Sequence, residues 1–344
     1  GRIRRERGTL RAGQGKDSFK PFTEERKIAS IDGDALTLDQ PLAENHFGED
    51  RFHGEVANLT RNVVIESADL AKGRGHTMYH RGSAGSISYA EFRHLGKEGV
   101  LGKYSAHFHL VGDTMRGSSV VGASFWDSGN RWLTIHGTNY LVVRDCVGYQ
   151  SVGHGFFLED GTEVNNVLDH NLAVQAFSCN ALPKQVLPFD NNGGAGFWWS
   201  NSHNTFTRNG AVECDRYGFK FEAEPVSTST PGLNVIVKED APETFDLKMR
   251  VEMPDGATSI VDIRTLPFVR FEDNEAHSHL YGINFGEGVR GVGPDEKHPF
   301  LLKNTILWNN FWHFRPGSPS LLVDGMAMYN GRYGLYRPAY KRDG

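Results

Sequence analysis

The sequence predicts an all-β chain wound as a right-handed parallel β-helix with loop and hairpin insertions. Three observations predict it. Segments led by glycine or another small residue carry apolar side chains at alternate positions: AHFHL (106–110), WLTIHG (132–137), GFFLED (155–160), GFWWSN (196–201), GFKFEA (218–223) and GINFGE (282–287). A second kind of segment ends in Asn followed by small or apolar residues: LDHNLAV (168–174), FTRNGAV (206–212), FEDNEAH (271–277) and LLKNTIL (301–307), with VRDCVGY (143–149) as a variant. The two kinds interleave, and the shortest period, Phe197 to Phe219, is 22 residues. That is the scale of one solenoid coil. A propeller blade needs about 40 residues. A sandwich has no reason to repeat Asn at one place, whereas a coil corner does, because the amide satisfies turn backbone groups.

Taken in order, residues 1–58 form an N-terminal β segment without the Asn signature, in which IASIDGDALTLDQPL (28–42) reads as two strands around a DGD turn. The helix occupies 59–344, with TRNVVIES (60–67) and SISYAEFRH (86–94) as its first coils. Insertions interrupt it near 176–195, 223–267 and 287–299. The second carries strand-like LNVIVKED (233–240) and MRVEM (249–253), the latter followed by a PDGA turn. Solenoid insertions map to loops, often on the binding face.

Composition narrows the function. The 344 residues include 40 Gly and 22 Phe, which suits many turns around an aromatic core. No run approaches roughly 18 apolar residues, so no membrane segment is expected. The chain opens on GRIRRERGTL and reads as a fragment or processed form. A net charge of −5 argues against a nucleic-acid partner, yet leaves room for a local basic groove that binds an acidic sugar polymer. Three cysteines without CxxC spacing give neither a disulfide framework nor a zinc site, and read as small buried hydrophobes.

Side-chain alternation orders the candidates. The inward set is Phe108 and Leu110, Leu133 and Ile135, Phe156 and Leu158, Phe197 and Trp199, Phe219 and Phe221, Ile283 and Phe285. One outward column then holds His107, Thr134, Phe157, Trp198, Lys220 and Asn284, and the other His109, His136, Glu159, Ser200, Glu222 and Gly286. With strands about 4.8 Å apart, His109, His136 and Glu159 form an exposed triad that can exchange protons or hold a cation. His154 and Asp160 lie beside it in sequence, and Asp113 closes the turn after HFHL. Trp198 and Phe157 offer faces for a sugar ring. Lys220 and Arg131 offer charge for a uronate, with Glu222 alongside.

The segments LGKYSAHFHLVGD (101–113), LTIHGTNYLVVRDCVGYQSVGHGFFLEDGTEVNNVLDHNL (133–172) and NGGAGFWWSNSHNTFTRNGAVE (192–213) resemble the cell-surface hyaluronidase family. The resemblance is dense from Leu59 to Phe221 and thinner from Phe271 to Gly288. It implies a parallel β-helix, a secreted or cell-surface setting, a small all-β module before this region, and calcium-dependent depolymerisation of hyaluronan. Hyaluronan is the first expectation, and a bacterial-type relative acting on another uronic-acid polymer is the alternative. The matched positions able to do chemistry are His107, His109, Asp113, His136, His154, Glu159 and Asp160.

Three functions follow as expectations. An endo-hydrolase would use Glu159 or Asp160 as acid, with Asp113 or a histidine as partner. A polysaccharide lyase would take a proton with His109, His136 or Lys220. A non-catalytic solenoid would bind the polymer only. A metal at His109, His136 and Glu159 would be a transition ion, because two imidazoles and one carboxylate suit zinc better than calcium. A monomer is expected.

Overall fold

The computed structural model describes residues 22–336, apart from 47, 188, 224–247, 253–255, 263–265, 267, 287–298 and 319. Three long sheets run its length, with eight, nine and nine strands. The first coil gives Val63–Glu66 to the second sheet and Thr77–Tyr79 to the third; every later coil gives one strand to each sheet, and every pairing within the three sheets is parallel. One coil shows the plan: Ser119–Val121 enters the first sheet, Ser124–Ser128 the second and Leu133–Thr138 the third. The molecule is a parallel β-helix, wound in the right-handed sense that twisted strands favour. Among the described residues, helical turns are limited to Leu70–Lys72 and Asp113–Met115.

The corner between the first and second sheets is a single residue in the left-handed region. It falls on Tyr89, Gly122, Asp145, His170, Arg208, Asp273, Asn304 and Gly325 in successive coils. The ladder residue follows it. Asn209 Oδ1 accepts from the backbone N–H and side-chain amide of Asn171, Asn274 Oδ1 does the same for Asn209, and each amide also reaches a carbonyl of the coil before. The recurring Asn is thus a stacked corner ladder. In VRDCVGY and LLKNTIL the ladder position passes to Cys146 and Thr305, one residue after the left-handed Asp145 and Asn304. Cys146 and Cys214 are buried and Cys179 is partly so.

The expected inward residues line one continuous core, in which Phe156, Phe197 and Phe219 stack at centroid spacings of 5.2 and 4.9 Å. Leu110 departs from that expectation. The pairing of Ala106–Gly112 with Leu133–Thr138 shifts after His109↔His136, so that Gly112, not Val111, meets Thr138. Leu110 is the extra residue, with φ +52°; it is 37% exposed, and Val111 takes the core place. A bulge of this kind re-aims the side chains beside it.

Residues 28–38 make the expected hairpin, Ile28–Asp32 against Ala35–Leu38. The expected first coils appear as Val63–Glu66, Ile87–Ser88 and Ala90–Arg93. In the second insertion Lys248–Glu252 pairs antiparallel with Thr258–Asp262, as the PDGA turn suggested. LNVIVKED and residues 287–298 lie outside the described residues. The first insertion folds back, and its Leu187 and Phe189 pack on Phe157, Trp198 and Tyr217 on the outer face of the third sheet.

Candidate functional site

The third sheet presents the predicted columns. His107 pairs with Thr134, Thr134 with Phe157, Phe157 with Trp198 and Trp198 with Lys220. His109 pairs with His136. Glu159 follows the last paired residue of Phe156–Leu158, and its N–H donates to Ile135 O at 2.9 Å, which sets it beside His136. His136 Nδ1 lies 3.3 Å from Glu159 Oε2, and its Nε2 lies 3.2 Å from Asp160 Oδ2. The small Thr134 leaves room for His107 to reach across, placing its Nε2 3.4 Å from the same Glu159 oxygen.

His109 stands apart from this contact. Its ring lies edge-on to His107 and His136, with centroids 5.0 and 4.9 Å away, and it is partly exposed. The inner triad is therefore His107, His136 and Glu159, with His109 as its solvent-facing lid. The expectation that His109 shares a ligand set with His136 and Glu159 is corrected here: the bulge turns the chain outward after His109, while His107 is held inside.

The electrostatics follow from burial and neighbours. Burial opposes charge on His136, but the bond to Asp160 and the charges of Glu159, Asp160 and Glu163 outweigh it and raise its pKa to about 9. For Glu159, burial is overcome by His107, His136 and Arg131, which hold the carboxyl below its usual range. Glu159 Oε1 also accepts from the Tyr104 hydroxyl at 2.6 Å and from Arg131 Nη1 at 3.3 Å. Burial, then the imidazoles of His136, His107 and His80, lower His109 to about 4. Burial and the charge of Asp160 push the Glu163 carboxyl well up; it accepts from the N–H groups of Gly137, Asp160 and Gly161 and so shapes the floor of the site.

The remaining candidates take other places. Asp113 is exposed at the turn after Gly112 and accepts from Asn139 Nδ2 at 2.8 Å, so its expected part in proton transfer is not supported. His154 is buried: its Nε2 donates to Asp190 at 2.7 Å and its Nδ1 accepts from Ala195 N–H, which ties the first insertion to the sheet. Arg131 is 0% exposed, stacked 3.6 Å over Phe157 and bonded to Tyr104, Glu159 and Asp190. It is an internal brace and not a surface cation for a uronate. Phe157 and Trp198 do leave the outer face, but the inserted loop covers them, which corrects their reading as exposed sugar platforms. Lys220 is likewise buried and donates to Glu222 and Asn284, each at 2.8 Å. A small cleft at the loop edge is still lined by Trp198, Lys220, Glu222 and Phe189.

Alternation alone missed three contributors. Tyr104 precedes its strand and reaches Glu159 from a loop. Asp190 belongs to an insertion. His80 lies one coil before His109, its ring centroid 5.2 Å away, and extends the imidazole row. His80 could have been found: it follows TMY (77–79), which pairs with Ala106–Phe108.

Among the described residues, one group places three metal-ligating side chains together, namely His107, His136 and Glu159. Calcium does not fit it, since that ion takes roughly six to eight oxygens and the group offers two imidazole nitrogens and a single unengaged carboxylate oxygen.

Fold and site together define a β-helix protein with an imidazole–carboxylate centre on the outer face of one sheet. Residues 73–283 match the CEMIP beta-helix family, well over half of the chain, and the chain belongs to that family. It is 30% identical to cell surface hyaluronidase CEMIP2 of Homo sapiens over 313 residues, covering 77% of this chain and 20% of that protein. It is 31% identical to the human cell migration-inducing and hyaluronan-binding protein over 343 residues, covering 85% and 23% respectively. It is 32% identical to Fibrocystin-L of Mus musculus over 249 residues, covering 57% and 6%. The chain thus spans between 6% and 23% of the length of these relatives. A solved alginate lyase from Paenibacillus aligns over 76% of this chain and 90% of its own, with 8% identity and a TM-score of 0.32, too loose a likeness to bear on function.

Proposed function

We propose that this chain cleaves an acidic extracellular polysaccharide within its length, hyaluronan first among the uronic-acid polymers, as a monomer that is secreted or held at the cell surface. The observation that carries this reading is the imidazole row His80, His109 and His136, backed by the buried carboxylates Glu159 and Asp160. Two relatives whose names include hyaluronan or hyaluronidase support the substrate.

His109 faces solvent and, with its pKa lowered to about 4, is unprotonated near neutral pH and placed to take a proton from a bound sugar or an attacking water. His136, clamped by Glu159 and Asp160, is held in one orientation beside it. In hydrolysis water adds to the anomeric carbon, the glycosidic C–O bond breaks, and the leaving oxygen takes up a proton. Glu159 and Asp160 are both enclosed, so an imidazole and not a carboxyl makes the proton contact at the surface. That same observation favours a second reading, β-elimination. There a base removes the proton beside the uronate carboxylate, a C=C bond forms, and the C–O bond to the leaving sugar breaks.

The test is a chain-length assay on hyaluronan, chondroitin and alginate, with ultraviolet absorbance followed in parallel. Shortening of hyaluronan without new absorbance is the expected result, and shortening with it would mean elimination. Binding without any shortening would reject cleavage and leave a carbohydrate-binding solenoid.

A further inference from the structure

We infer that His107 Nε2, His136 Nδ1 and Glu159 Oε2 form a binding site for one divalent transition-metal ion, zinc first, with a fourth position open toward His109 and solvent.

The argument starts from hydrogen bonds that are not made. His107 and Glu159 are almost wholly buried, yet His107 Nε2 and Glu159 Oε2 have no aligned hydrogen-bond partner. Unpartnered buried polar atoms are costly. Here the two point at each other and at a third donor, His136 Nδ1.

Each of the three side chains has its other polar atom engaged. His107 Nδ1 faces the Gly102 carbonyl at 3.0 Å; a carbonyl only accepts, so Nδ1 carries a proton and Nε2 is the nitrogen available to an ion. Asp160 faces His136 Nε2 at 3.2 Å and keeps the proton there, so Nδ1, which faces Glu159, is the nitrogen that exchanges its proton for an ion. Tyr104 and Arg131 hold Glu159 Oε1, leaving Oε2. A carbonyl or carboxylate on the far nitrogen of each imidazole is the outer shell that orients metal-binding histidines. Separate elements supply it here: the loop before Ala106, the end of the strand Phe156–Leu158, and the corner at Arg131.

The spacing agrees. Donors about 2.0–2.2 Å from a tetrahedral ion lie roughly 3.4 Å apart. The two donor distances to Glu159 Oε2 are 3.4 and 3.3 Å. The two imidazole nitrogens stand within 4.8 Å of each other, and a wider angle at the ion or a slight ring rotation absorbs the difference. Two nitrogens and one oxygen with an open fourth place is the composition of catalytic zinc sites, and imidazole donors favour such ions over magnesium or calcium. As the cofactor of the same centre, the ion builds on the functional reading, while its test reads metal content and not cleavage, so that each can fail alone.

The purified chain is loaded with ZnCl2, freed of excess by gel filtration, and analysed by mass spectrometry of the elements. Wild type is expected to hold about one zinc per chain and to melt higher than protein stripped by chelator, with CaCl2 giving no such shift. His107→Ala and Glu159→Gln should each bind zinc at least tenfold more weakly. Asp160→Asn should fall in the range of roughly 10–100-fold weaker that loss of an outer-shell partner gives. His109→Ala should keep its zinc. Co2+ added to wild type should show the visible bands of a low-coordinate N/O site, a readout that does not depend on any variant folding. Wild type that retains no zinc and shows no such Co2+ spectrum would overturn the site, as would a folded His107→Ala that binds zinc like wild type.

Discussion

His107 and His109 leave one strand two residues apart, on the same face, and end in different settings. His107 is enclosed because Tyr104 packs on its ring, with centroids 4.8 Å apart, and Gly102 holds its Nδ1. His109 sits at the bulge and keeps contact with solvent. Alternation could place both on the outer face but could not say which would be roofed over, because the roof comes from the loop before the strand. Arg131 shows the same limit. In sequence it is one more basic residue beside WLTIHG; in the fold it is the cation shared by Glu159 and Asp190. Arg131→Met should therefore cost about 3–5 kcal/mol, because it leaves two buried carboxylates short of their partner. Urea unfolding checks this, and a midpoint equal to that of wild type would show that the pair does not depend on Arg131.

At the scale of the strand, the inward positions were legible because a period of two on a buried face admits only one register. His109↔His136 and the run from His107 to Lys220 follow from it. Phe156, wedged between Trp132 and Phe197, tests the register: Phe156→Ala should lower stability by roughly 3–5 kcal/mol. Unchanged thermal unfolding would place that ring elsewhere. The corner ladder predicts a smaller loss. Asn209→Ala strips partners from Asn171 and from the Leu168 carbonyl, and about 1–3 kcal/mol should go with them; a neutral result in calorimetry would deny the ladder its role.

The strand Trp312–Pro316 carries a pH effect. Burial lowers His313 from 6.5 to about 4. As pH falls, the unfolded chain takes up this proton near 6.5 and the native state only near 4, so native stability declines across that window. In His313→Gln the unfolding free energy should change less between pH 7 and 4.5 than in wild type. Equal changes would mean that His313 is not held neutral.

Across the whole molecule, the solenoid stacks similar coils, and a repeat is the easiest architecture to read from one chain. Its departures from repetition were the hard part. The first insertion covers Phe157 and Trp198, and nothing in its own residues announces that it folds back on the third sheet rather than away from it. The sites proposed for the polymer and for the metal both lie where the regular coils meet these irregular pieces. Stacking brings His80, His109 and His136 from three successive coils into one row, something no local motif provides. The most direct measurement is the initial rate of hyaluronan shortening by wild type and by His136→Ala, each first shown to unfold cooperatively. Wild type should shorten the polymer while the variant leaves its length unchanged; a variant as fast as wild type would remove the imidazole centre from the chemistry.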